Sequence, residues 1–219
     1  IPNIGLSLKL LHDNLDIKIV ATGSSSFDLA NKLNEPLTGR SNTFLLYPVS
    51  FGETSQNNLR PTARTLESHL RFGMYPKVLT IESDAEKEKY LYQLVNNYLY
   101  NDILIFENIR KPKKVLDLLS LLALQIGKEV SVAELATQLG ISQPAVEKCL
   151  DVLEKMFVVV NLRGFSRNLR KEISKTSKYY FIDLGLRNGL IRNFNPLNLR
   201  SDTGEMFENW FIVERMKFL

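Results

Sequence analysis

Two short stretches hold the residue types that handle phosphate. Thr22-Gly23-Ser24-Ser25 follows the apolar run Ile17–Ala21. Hydroxyls at the carboxyl end of a parallel strand face ligands in α/β sheets, where they can orient water or a phosphate. The plain alternative is a strand end closed by Ser/Thr turns. Arg40 follows Gly39 in a loop, where a guanidinium can stabilise the charge of a transferring phosphoryl group. Taken alone it equally reads as a surface arginine. The rest of a phosphate site is not in these 219 residues. Neither GxxxxGK[ST] nor GxGxxG occurs, and the one Gly-Lys pair, Gly127-Lys128, precedes Glu129. Two distant histidines, His12 and His69, and one cysteine, Cys149, leave little material for a metal site and none for an internal disulfide. No Ser–His–Asp set or carboxylate pair has motif support.

The second chemical signal is charge. The net charge is +4, but its distribution is uneven. Residues 161–200 hold nine Lys/Arg against two Asp/Glu, while the rest of the chain is close to neutral. A basic cluster on one face is the footprint of polyanion binding, and a solvated surface is the bland reading.

These residues need elements to hold them. Ile17–Ala21 and Thr43–Tyr47 read as buried parallel strands, with a serine-capped helix over Phe27–Leu33 between them. Strand, helix, strand implies a βαβ crossover. Gly5–His12, Thr62–Phe72 and Asp84–Phe106 read as helices, the last opening on a capping box at Ser83–Glu86. Gly73-Met74-Tyr75-Pro76 is the turn between two of them. Further on, Val115–Ile126, Ser131–Leu139 and Gln143–Met156 read as three helices. Ser131 and Ser142 serve as caps and Gly140 as a stop. Strands over Phe157–Leu162 and Tyr179–Ile182 follow, and a helix over Met206–Met216. Three helices and a hairpin make the winged helix-turn-helix pattern. In that arrangement Ser142, Gln143 and Lys148 would reach bases, and Arg163, Arg167, Arg170 and Lys171 would reach phosphates. Glu147, Asp151 and Glu154 on the same helix would repel them, so duplex DNA and a protein partner both stay open. No apolar run reaches the length of a membrane span, and the single cysteine fits a reducing cytoplasm.

In this order the parts resemble a prokaryotic AAA+/STAND-like ATPase family with a winged helix and a C-terminal restriction-endonuclease-like domain of unknown function. The likeness lies in Ile19–Ser25, Leu37–Arg40, Leu46–Glu53, Gly73–Pro76, Phe165–Arg170, Tyr180–Leu186 and Gly204–Asn209. The resemblance implies that residues 1–54 are the later part of an ATPase core and 55–110 a helical lid. It implies a winged helix over 111–182 and the start of a nuclease-like domain over 183–219. The expected fold is thus an α/β fragment of a P-loop core plus lid, then a mainly α winged helix, α+β overall. Thr22, Ser24 and Ser25 would sense the γ-phosphate, Arg40 would be catalytic, and Gly73 and Pro76 would lie near the nucleotide. The whole protein would use ATP and Mg²⁺ as a nucleotide-controlled switch, with double-stranded DNA and self-association both open as its partners. The family's phosphate loop and acidic pair precede the position of Ile1. The chain is therefore expected to be an internal piece without turnover or bound cofactor of its own. The other two readings are a DNA-binding module and an interaction scaffold.

Overall fold

The computed structural model describes residues 4–22, 42, 44–55, 62–99, 112–163 and 177–218. Within them the chain is mostly helical with one small sheet. Helix α1 spans Ile4–Asn14 and α2 spans Phe51–Ser55. Helix α3 spans Ala63–Phe72, where the Thr62 side chain accepts from Thr65 N as N-cap. After the Gly73–Tyr75 turn, Pro76 opens the short α4, Pro76–Leu79, at the position where its missing N–H costs nothing. Helix α5 spans Asp84–Gln93 and runs into a π-helical turn, Leu94–Leu99.

The next group is α6 (Pro112–Leu124), β1 (Glu129–Val130), α7 (Val132–Leu139), α8 (Gln143–Lys155), β2 (Val159–Arg163) and β3 (Ser177–Phe181). The sheet is antiparallel in the order β1-β3-β2, with Val159 opposite Phe181 and Glu129 opposite Lys178. Ser131 accepts from Glu134 N, and Gly140 takes the left-handed conformation that ends α7. The caps expected at Ser83 and Ser142 form no side-chain hydrogen bond; these helices start on backbone geometry alone. Helix α9 (Leu184–Leu190), a 3₁₀ turn (Leu197–Leu199) and α10 (Thr203–Met216) complete the chain.

One apolar cluster joins these groups. It runs from Leu70 of α3 through Leu118, Leu119 and Leu122 of α6 and Leu150 of α8 to Phe181, Leu186 and Met206. Each of these leucines is fully or almost fully buried, and removing such a side chain from water is worth about 1.5–3 kcal/mol. The cluster thus draws on α3, α6, α8, β3, α9 and α10 alike. Helix α9 sits at its centre, packed on α3, α5, α6 and α10. Its polar side chains close two helix ends: Asn188 Nδ2 donates to the carbonyls of Leu70 and Arg71, and Arg187 Nε donates to that of Ala123.

The βαβ expectation is not met in the described residues. Ile17–Ala21 and Phe44–Tyr47 lie without strand pairing. A strand needs a neighbour for its backbone groups and a cover for its side chains. Neither run has one among the described residues: Val20, Phe44 and Leu46 are 87%, 88% and 101% exposed. Helix Phe27–Leu33 lies outside the described residues.

Candidate functional site

The turn between α3 and α4 is tightly constrained. Gly73 has φ 76° and ψ −167°, a conformation that residues with a Cβ rarely adopt. A Cβ there would also collide with the carboxylate of Asp183. Asp183 follows β3 and is 3% exposed. Its Oδ2 accepts from Met74 N at 2.7 Å and its Oδ1 accepts from Leu186 N at 3.2 Å, so one carboxylate ties the Gly73–Tyr75 turn to the start of α9. Burial pushes its pKa up, against these N–H donors. Gly185 makes the same crossing possible from the other side, since a Cβ there would strike the Phe72 carbonyl.

Against this turn sits the segment that leads into α2. Val49 N donates to Met74 O at 3.1 Å. Lys217 Nζ, beyond α10, donates to Val49 O at 2.9 Å and to Glu214 Oε1 at 2.6 Å. Glu214 Oε2 accepts from Phe51 N at 2.8 Å. Ser50 N donates to Glu53 Oε2 and Glu53 N to Ser50 Oγ, a reciprocal cap on α2. The Phe51 ring meets His69 and Trp210 edge-on, with centroids 5.7 and 5.5 Å away. His69 is buried and its Nδ1 has no hydrogen-bond partner among the described residues. Burial outweighs the nearby Glu214 carboxylate and lowers its pKa to about 4. The cavity among His69, Met74, Asp183, Trp210 and Lys217 has a volume of about 10 Å³. That is room for about one water, so the junction holds backbone rather than a ligand.

A second polar centre fixes α9 and the turn after it. Asp202 accepts from Arg187 Nη1 at 2.5 Å and from Arg200 Nε and Nη2, each at 2.8 Å. Both guanidinium side chains are buried. Burial alone would raise the Asp202 pKa, but Arg200 and Arg187 outweigh it and hold it at about 2. This corrects the reading of residues 161–200 as a surface charge. Arg187 and Arg200 lie inside, and Lys178 pairs with Glu208 at 3.0 Å. Among the described residues of that stretch, Arg163 and Arg192 remain exposed.

Of the expected site residues, Thr22, Gly73, Pro76, Ser142, Gln143, Lys148 and Arg163 lie among the described residues. Thr22 is exposed in unpaired chain, and Ser24, Ser25 and Arg40 lie outside the described residues. Gly73 ends α3 and Pro76 opens α4, so the two bracket the turn between them. Ser142, Gln143 and Lys148 are exposed on the first half of α8, beside exposed Glu147 and Asp151, and Arg163 is exposed at the end of β2. Arg167, Arg170 and Lys171 lie outside the described residues. The described residues form no cradle for nucleotide phosphates. Among them no group of three or more His, Cys, Asp or Glu side chains could hold a metal. No described helix is long and apolar enough to cross a membrane. Asp183, Glu214, Lys217 and Asp202 were not singled out in the sequence. Asp183 alone carries a local signal, an aspartate three residues before the Leu186 N–H it caps.

Comparison with known proteins finds two family matches. Residues 1–55 match an AAA domain, and residues 63–197 match a family described as a domain of unknown function, DUF8612. An uncharacterized protein of Haemophilus influenzae is 24% identical over 81% of this chain and 46% of its own length. One from Methanocaldococcus jannaschii is 26% identical over 90% and 46%. One from Mycobacterium tuberculosis is 25% identical over 100% and 49%. The chain thus spans about half the length of the curated relatives it matches. No solved structure matches it.

Proposed function

The chain belongs to the family described as domain of unknown function DUF8612, and from that membership and the AAA match we propose that the whole protein is a nucleotide-controlled switch of the AAA type. In this reading residues 1–54 belong to the ATPase core, 55–110 to its lid, 111–182 to a winged helix and 183–219 to the entry of a further domain. The observation that carries it is the junction at Val49–Phe51. The last residues of the AAA-matching segment are hydrogen-bonded on one side to the lid turn and on the other to Glu214 and Lys217. A shift of that segment cannot occur without disturbing both. ATP and Mg²⁺ would be held by residues other than the described ones. The test is ATP binding and turnover by the whole protein, with the 219-residue chain as the comparison. Binding by the whole protein and none by the chain supports the reading; a whole protein that binds no nucleotide overturns it.

A winged helix is supported by the order α6-β1-α7-α8-β2-β3 with sheet order β1-β3-β2. Duplex DNA as its partner is the second reading, favoured by exposed Gln143, Lys148 and Arg163. A salt titration of duplex binding tests it, since neutralising Arg163, Arg167 and Arg170 should weaken binding and flatten the salt slope. Wild-type binding by that variant removes the wing arginines from the account, and a wild-type chain that binds no duplex leaves self-association or another protein partner.

A further inference from the structure

We infer that Glu214 and Lys217 form a latch through which the end of α10 senses the position of the Val49–Glu53 segment. Lys217 and Glu214 are one ion pair, three residues apart, with side chains 5% and 9% exposed. Neither group spends its hydrogen bonds on α10 alone. Lys217 Nζ reaches the Val49 carbonyl and Glu214 Oε2 receives the Phe51 amide, so the pair grips the segment on both sides of Ser50. Phe51 and Gly52 complete the contact: the Phe51 ring stands edge-on to Trp210, and Gly52 lies against the Phe218 ring.

This chemistry makes a releasable joint. Burying two charges is costly, and it is sustained here only while the segment supplies an acceptor and a donor. If Val49–Phe51 withdraws, both charges can be hydrated and the pair loses little, since exposed ion pairs are worth little. An apolar seam would instead expose surface on opening and resist it. The closed and open states therefore differ by a few charge-assisted hydrogen bonds and by the Phe51 ring contacts with His69 and Trp210, and both ends of the joint respond together. The inference deepens the switch reading, because the gripped residues end the AAA-matching segment, but its test needs no nucleotide.

The experiment is amide hydrogen exchange on the 219-residue chain. Lys217→Met and Glu214→Gln should each speed exchange at Phe51 roughly tenfold, the factor expected for losing one charge-assisted hydrogen bond. Lys217→Arg, which keeps charge and donors, should restore most of the protection. The reciprocal variant is Glu53→Ala, which loosens the α2 cap without touching α10. It should speed exchange at Arg215–Lys217 as well as at Phe51. Unchanged amides in α7 and α8 show that the fold is intact. Phe51 protection that survives Lys217→Met and Glu214→Gln overturns the latch, as does a Glu53→Ala effect confined to residues 50–55. Failure here leaves the ATP-binding test of the whole protein standing, and failure there leaves this one.

Discussion

His69 should give the chain a measurable acid sensitivity. Its imidazole is buried under Phe51, with Glu214 and Lys217 on one side and Lys87 beyond. Burial, partly offset by Glu214, brings its pKa from 6.5 to about 4. A folded-state pKa below the unfolded value means that the unfolded chain takes up the proton first. The stability associated with neutral His69 is therefore complete above pH 6.5 and is lost as pH falls toward 4. Linkage with these two values gives a loss of about 2 kcal/mol between pH 7.5 and 5, and about 3 kcal/mol by pH 4. That is a large part of the 5–15 kcal/mol that typically holds a domain together. The assay is denaturant unfolding at a series of pH values, comparing the chain with its His69→Gln variant. Asp183 works in the opposite direction, because its raised pKa removes stability as pH rises through the folded value. Subtracting the variant's curve isolates His69. A difference of about 2 kcal/mol between pH 7.5 and 5 is expected, and parallel curves would refute the buried, neutral imidazole.

Three further outcomes follow from the packing. Gly73→Ala should destabilise the chain by about 3 kcal/mol or more in thermal or denaturant unfolding, because a left-handed backbone and a collision with Asp183 add. Asp202→Asn should cost about 3 kcal/mol in the same assay, since it leaves Arg187 and Arg200 buried without their shared carboxylate. Adding Asp202→Asn should also remove the part of acid unfolding that wild type shows as pH falls from 3.8 toward 2, where this lowered pKa is titrated. Leu119→Ala, in the shared core, should cost about 2–5 kcal/mol and unfold α3, α6 and α8 in one transition; separate transitions would contradict a continuous core.

Local signals in the sequence found the elements that stand on local chemistry. The apolar spacing in Val115–Ile126, Ser131 and Gly140 at the ends of α7, and the β-branched run Phe157–Leu162 all led to elements close to those observed. The misses share a physical cause. Ile17–Ala21 and Phe44–Tyr47 have strand composition, but a strand is a property of a pair, and no described segment pairs with them. Helix α9 was invisible because Leu-Gly-Leu-Arg-Asn-Gly-Leu carries two glycines and no clear helical period; tertiary contacts make it. Arg187 and Arg200 looked like surface charge because an isolated arginine usually is, and only the fold brings Asp202 between them. The Val49–Lys217 contact joins residues 168 positions apart, which no spacing rule can reach.

The central claim is that the AAA-matching segment reports nucleotide state through Val49–Glu53. Its most direct test is hydrogen exchange of the whole protein with and without ATP and Mg²⁺, read at Val49–Glu53, Gly73–Tyr75 and Arg215–Lys217. The account predicts that nucleotide changes protection at all three together. Nucleotide binding that leaves all three unchanged would contradict it.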